Sequence, residues 1–160
     1  MNRQEYVACG ARFEHRGSQL DEMIEAMRRL WRDEVSSFDG KFYKFEPLYS
    51  SPKPVNGTVP VFVGASAPPG ARPAGRVGDG FMPFARDPEK LVEQIDEMKR
   101  SAEQAGRDPS KIELMTLGSV KPDRIKWFAS LGITRLCFFN DKIATLPELG
   151  KRLQDAAASL

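Results

Sequence analysis

The sequence is poor in the residues that carry most metal and nucleophile chemistry. It holds one histidine, His15, and two cysteines, Cys9 and Cys137, in 160 residues. A single histidine with no neighbouring carboxylate and nucleophile gives no Ser-His-Asp arrangement, and it reads as a surface residue. The two cysteines make neither a zinc-type nor a redox-type spacing, so they read as inert thiols in a reducing compartment. No phosphate-binding P-loop is present. No apolar run approaches the ~18 residues of a membrane span, and the polar start Met1-Asn2-Arg3-Gln4-Glu5 lacks the apolar stretch of a signal peptide. A cytoplasmic location without membrane contact is the expectation. Charge of one sign is also missing. Lys and Arg total 24 against 22 Asp and Glu, for a net charge of +2, and no basic block occurs. That balance argues against a nucleic-acid partner.

What is present fits one domain with one core. Hydrophobic residues make up 41% and charged residues 29% of the chain. After an N-terminal segment, 1–17, the spacing predicts a helix over 18–33. Ser18 would cap it with Asp21 in a capping box, and Leu20, Met23, Ile24, Met27, Leu30 and Trp31 form its apolar face. Residues 34–58 predict a hairpin turning at Asp39-Gly40, with Val35, Phe38, Phe42 and Phe45 around it. A connector then starts at Pro47 and continues through Pro52 and Pro54, where repeated prolines exclude a helix.

From 59 to 160 short apolar runs alternate with helical patterns. The runs are Val59 to Val63, Gly80 to Phe84, Ile112 to Leu117 and Thr134 to Phe139, each continuous enough for a parallel strand covered on both faces. Helices are predicted from Asp87 to Ala105, with buried Leu91, Ile95, Met98 and Ala102, and from Asp123 to Leu131, with buried Ile125, Phe128 and Ala129. A last helix starts near Thr145, with Glu148 closing a capping box, and runs through Leu149, Leu153 and Ala156. Strand–helix repetition implies an α/β fold with a parallel sheet. Four such strands are too few to close an eight-stranded barrel, which typically takes ~250 residues.

Six segments, in order, resemble the luciferase-like monooxygenase superfamily, in the branch that includes deazaflavin-dependent dehydrogenases. They are Arg16-Gly17 with the run from Leu20 to Trp31, then Phe38 to Phe45 with Pro52 to Val55, Val59 to Ser66, Gly78 to Pro83, Ala105 to Pro109, and Ala129 to Leu136. The resemblance implies a partial (β/α)8 TIM barrel: its fifth to eighth strands, with a hairpin insertion, in a single domain that lacks the N-terminal half. It also implies an oxidoreductase or monooxygenase acting on a small organic substrate with coenzyme F420 or FMN. By the resemblance, the loops Gly64-Ala65-Ser66-Ala67 and Gly80-Phe81-Met82 hold the coenzyme. Small residues let backbone N–H groups approach an anion, and Ser66 adds a hydroxyl donor.

One departure bears on that site. The stretch Ala67 to Gly75 contains Pro68, Pro69 and Pro73, so the following helix is expected to start late, near Pro73, or to be lost. Either would move its dipole away from the loop. Asp79 reads as a turn or capping residue. Arg72, Arg76 and Arg135 are the cations that could reach a phosphate. Trp127 and Phe128 read as packing. No catalytic residue and no metal ligand can be assigned. The other reading is a half-barrel interaction module that self-associates or complements a separate N-terminal half through its unpaired strand edges.

Overall fold

The computed structural model describes residues 3–10, 13–118, 121–137 and 145–158. Two sheets form. The hairpin pairs β1 (Val35–Asp39) with β2 (Lys44–Tyr49) antiparallel. The main sheet is parallel, in the order β3 (Phe62–Ala65), β4 (Gly80–Pro83), β5 (Glu113–Leu117), β6 (Ile133–Cys137). Helices α1 (Arg3–Ala8) and α2 (Arg16–Arg32) precede the hairpin. Helices α3 (Pro68–Val77), α4 (Pro88–Gln104) and α5 (Pro122–Ser130) connect the parallel strands, and α6 (Leu146–Ala157) follows β6.

The strand order decides the architecture. A doubly wound sheet reverses its order at a switch point. Here the order runs in one direction, and right-handed crossovers then put every connecting helix on the same face. The result is an arc of a (β/α) barrel, as the family resemblance implies.

Alternation along the strands sends Val63, Ala65, Phe81, Leu114 and Ile133 into the helical layer. There they meet Ala71, Ala74, Leu91, Ile95, Met98, Ala102 and Phe128. The predicted α4 stripe is buried in full. Asp87 caps that helix by accepting from the N–H groups of Glu89 and Lys90 at 2.9 and 3.4 Å. Gly106 closes its far end at φ +70°. Helices α3 and α4 approach so closely at Gly75 that a Cβ there would sit 2.4 Å from the Met98 carbonyl oxygen. Arg107 ties the end of α3 down, donating to the carbonyls of Gly75 and Gly78, each at 2.7 Å.

Several local expectations are corrected. Helix α2 begins at Arg16, two residues before Ser18, so Ser18 lies in the first turn and donates its hydroxyl to the His15 carbonyl at 3.2 Å. Asp21, freed from a capping role, pairs with Arg76 at 2.7 Å. The hairpin turn is not a two-residue Asp39-Gly40 turn. Asp39 ends β1 opposite Lys44, and a longer loop closes with the Gly40 N–H donating to the Tyr43 carbonyl at 2.9 Å. β2 runs through Pro47 because the register shifts opposite it, between Ser36 and Phe38, and a bulge spares the ladder the missing donor. β3 starts at Phe62, later than Val59. Ala129 is exposed on α5, while Ile125 and Phe128 are buried.

Helix α3 neither starts late nor disappears. Pro68 and Pro69 occupy its first turn, where no N–H is needed, and Pro73 lies buried within it. The Thr145–Glu148 box forms as read, with the Thr145 N–H donating to Glu148 Oε2 at 3.1 Å. Phe139, the expected end of β6, falls outside the described residues.

Candidate functional site

The carboxyl ends of barrel strands are where barrel enzymes place their chemistry. In this chain Gly64 and Ala65 are not loop residues as read from the sequence but the last two residues of β3, paired with Met82 and Pro83, with Ala65 buried; the rim begins with Ser66 and Ala67 after them. Gly64 lies close under the exposed Phe84 ring: a Cβ there would be 2.9 Å from it and would require the ring to shift. Ser66 and Ala67 are exposed, and α3 starts directly after them. The positive end of the α3 dipole therefore faces the loop. Its direct donors are few, however. Pro68 and Pro69 have no N–H, and the Gly70 N–H is taken by the Ala67 carbonyl at 3.0 Å. The Ser66 hydroxyl and the Ser66 and Ala67 backbone N–H groups are what the loop can offer an anion.

The second half of the sequence-predicted site lies elsewhere. Gly80 pairs with Phe62 and Phe81 with Val63, so both are strand residues, and Gly80 sits at the amino end of β4. Phe81 is 0% exposed in the core, and a Cβ on Gly80 would strike the Phe62 ring at 2.2 Å. The loop after β4 is Phe84-Ala85-Arg86-Asp87 instead. The Phe84 N–H donates to the Ala65 carbonyl at 2.7 Å and brings this loop against the first.

Arg86 in that loop is exposed and makes no ion pair with any described residue. Sequence reasoning passed it over for Arg72, Arg76 and Arg135, which pair with Glu97 at 2.5 Å, Asp21 at 2.7 Å and Glu113 at 2.9 Å. The available signal was position: Arg86 lies between a strand's carboxyl end and the next helix, whereas Arg72 and Arg76 lie within α3 and Arg135 within β6. Asp79 is structural, accepting from Arg28 at 2.9 Å on both oxygens and from the Val61 N–H at 2.9 Å. His15 is exposed. Among the described residues no cluster of His, Cys, Asp and Glu could hold a metal, and no helix is long and apolar enough to cross a membrane.

A cleft of about 510 Å³ lies beside the free edge of β3. Leu20 and Met23 of α2, Val63 and Pro73 give it apolar walls. Glu14, Arg16 and Tyr43 stand at its rim, and Gly64 and Gly70 lie along it. Gly70 is small because α3 crosses β3 there: a Cβ would sit 2.9 Å from that of Ala65.

Tyr43 reaches the rim from the hairpin loop, and its hydroxyl accepts from Gln19 Nε2 at 3.2 Å. One carboxylate fixes that loop. Glu22 accepts from the backbone N–H groups of Lys41, Phe42 and Tyr43 at 3.0, 2.6 and 2.7 Å. Gly40 makes room, since a Cβ there would fall 2.3 Å from Glu22 Oε1. Desolvation raises the Glu22 pKa, but the three N–H donors and the Lys41 charge outweigh it and hold the carboxyl below its ordinary 4.5. A lowered folded pKa contributes stability above the unfolded value, and this is lost as pH falls through the folded one. Protection of the 41–43 amides, read as exchange slowed relative to the intrinsic rate at each pH, is therefore expected to fall as pH drops through the folded Glu22 titration and to be low at all pH in Glu22→Gln, as measured by hydrogen-exchange mass spectrometry.

The profile of the luciferase-like monooxygenase family matches residues 2–124. The chain belongs to that family. An uncharacterized protein of Mycobacterium tuberculosis (strain H37Rv) is 36% identical over 147 residues, covering 86% of this chain and 49% of its own length. The F420-dependent glucose-6-phosphate dehydrogenase of Mycolicibacterium fortuitum is 34% identical over 114 residues, covering 69% of this chain and 33% of its own. Among solved structures, an F420-dependent secondary alcohol dehydrogenase bound to an F420-acetone adduct superposes with TM-score 0.60 at 23% identity, over 92% of this chain and 54% of that one. The monooxygenase RslO1 of Streptomyces bottropensis gives TM-score 0.54 at 23% identity, over 99% and 46%. These two share the fold. This chain spans about half the length, or less, of the curated relatives it matches.

Proposed function

We propose that this chain is the coenzyme-tail half of a cytoplasmic luciferase-like oxidoreductase that uses F420 or FMN on a small organic substrate. The carrying observation is the rim itself. The loops after β3 and β4 are joined by the Phe84–Ala65 hydrogen bond and present Ser66, Ala67 and a guanidinium, Arg86, without a carboxylate partner among the described residues. Both candidate coenzymes carry a phosphate, and a free guanidinium beside backbone donors is a phosphate-binding chemistry. The F420-dependent dehydrogenases among the relatives favour the deazaflavin. The bound coenzyme would supply two-electron transfer or oxygen activation.

The residues present fit the anionic tail rather than the ring. Gly64 and the Phe84 ring lie together at the end of β3, and what this chain's described loops after β3 and β4 present is backbone donors and a guanidinium. Its work is binding and orientation.

Titration with F420, FMN and riboflavin, followed by fluorescence, tests this reading. The chain alone is expected to bind the phosphorylated coenzymes with micromolar or weaker affinity, because an open half site buries little of the ligand. Riboflavin should bind more weakly than FMN. Arg86→Ala should cost about tenfold for FMN, the size of one charge-assisted hydrogen bond, and nothing for riboflavin. Equal affinities for FMN and riboflavin, or an unaffected Arg86→Ala, would remove the tail site from this rim.

A further inference from the structure

We infer that the groove between α3 and α4 is a second anion site, for a phosphate-bearing small molecule, separate from the coenzyme rim. Three guanidiniums line this groove of about 420 Å³: Arg72 and Arg76 from α3 and Arg100 from α4. The only carboxylate in the lining is Glu97, so the wall carries an excess of two positive charges.

Helix packing builds the cluster. Arg72 and Arg76 stand one turn apart on one face of α3. The two helices approach closely at Gly75, where a Cβ would fall 2.8 Å from that of Ser101. The buried Ser101 hydroxyl donates to the Arg72 carbonyl at 2.9 Å and ties the helices at this level. Glu97, with a side chain only 14% exposed, accepts from Arg72 Nε at 2.5 Å and pairs with an Arg100 terminal nitrogen at 2.7 Å. One carboxylate thus holds two like charges side by side. Asp21, which does not line the groove, holds Arg76 through Nε at 2.7 Å.

These pairs leave donors over. A guanidinium has five N–H groups. Arg72 and Arg76 bond through Nε, and no acceptor among the described residues takes their terminal N–H groups. Three guanidinium forks from two helices suit the three terminal oxygens of a phosphate monoester better than the two of a planar carboxylate.

The groove lies toward the C-terminal ends of both helices, whose partial negative charge would repel an anion. Those ends are covered. Arg107 donates to the Gly75 and Gly78 carbonyls, and the N–H groups of Ala105, Gly106 and Arg107 take the last carbonyls of α4. The rim precedes the first turn of α3 and Arg76 stands in its last, so most of a 10-residue helix, ~15 Å long, lies between them.

The test is NMR of the 160-residue chain, reading the arginine Nε–Hε resonances while chloride is exchanged for inorganic phosphate at constant ionic strength. The chain carries Arg86→Ala, so that binding at the rim does not mask the groove. The Arg72 and Arg76 resonances should shift together, with a dissociation constant of about 1 mM, on the scale of a weak open site. Glycerol 3-phosphate should bind comparably, and succinate at least fivefold more weakly. Arg100→Gln should weaken phosphate binding about tenfold, the effect of one charge-assisted hydrogen bond. Lys99→Gln, which removes an exposed cation of the same helix outside the groove, should change it less than twofold. Far-ultraviolet circular dichroism reports whether each variant keeps its fold.

An absence of shifts on adding phosphate, succinate binding as tightly as phosphate, or equal losses in Lys99→Gln and Arg100→Gln would overturn the inference. None of these readouts involves coenzyme, so failure of the rim as a coenzyme site leaves its separate signature in the FMN and riboflavin titrations.

Discussion

Expressed as it stands, the 160-residue chain is expected to give no coenzyme oxidation or reduction against a panel of alcohols, aldehydes and sugar phosphates, even with saturating F420 or FMN. The reason is geometric. The chain spans 49% of the M. tuberculosis relative and 54% of the secondary alcohol dehydrogenase structure it superposes on. Among the described residues, the ends of β3 and β4 present backbone donors at Ser66 and Ala67 and the guanidinium of Arg86. Holding reactants in a productive geometry supplies up to ~7–11 kcal/mol of the acceleration, at least ~10⁵-fold in rate. A coenzyme tethered only by its tail keeps little of that. Supplying the complementary four-strand segment should restore turnover where the two surfaces match. Robust turnover by the chain alone, lost in Gly64→Val, would show instead that these residues form a complete enzyme.

Phe81→Ala should destabilise the fold by about 3–5 kcal/mol, the usual cost of emptying a fully buried phenylalanine site. That is a large share of the ~5–15 kcal/mol that holds a domain together. The ring is 0% exposed and packs in the core with Ile95, Met98 and Leu114. Urea denaturation with far-ultraviolet circular dichroism measures it directly. Coenzyme affinity, corrected for the folded fraction, should be unchanged. This outcome separates the two readings of Phe81. A coenzyme contact would lose affinity with little loss of stability, whereas a core residue does the reverse.

Phe81 also shows where sequence reasoning stopped. The run Gly78-Asp79-Gly80-Phe81-Met82-Pro83 was legible as a strand with small residues near it, and a strand it is. Chain direction alone puts Gly80 at the amino end of that strand and Arg86 beyond its carboxyl end; what needed the structure was the register of β4 beside β3 and the burial of Phe81 in the core. The arginines followed the same course. Arg72, Arg76 and Arg135 were equal candidates by spacing, until folding brought Glu97, Asp21 and Glu113 against them.

The sequence by itself determined the kind of fold and most of its elements. Apolar periodicity placed α2 and the α4 stripe, Asp87 and the Thr145–Glu148 box marked helix starts, and four short apolar runs alternating with helices required a parallel sheet. These are local signals, carried within a few residues of chain. What only the tertiary structure decided involves partners far apart in sequence. Glu22 takes up the hairpin loop about twenty residues away, and Gly75 is small because of the Met98 backbone. Pro73 is tolerated inside α3 because tight packing of that helix against α4 supports it from outside, where local propensity alone would have ended the helix. Long-range packing and hydrogen bonding outweigh one lost backbone bond, and no window of sequence contains both sides of that comparison.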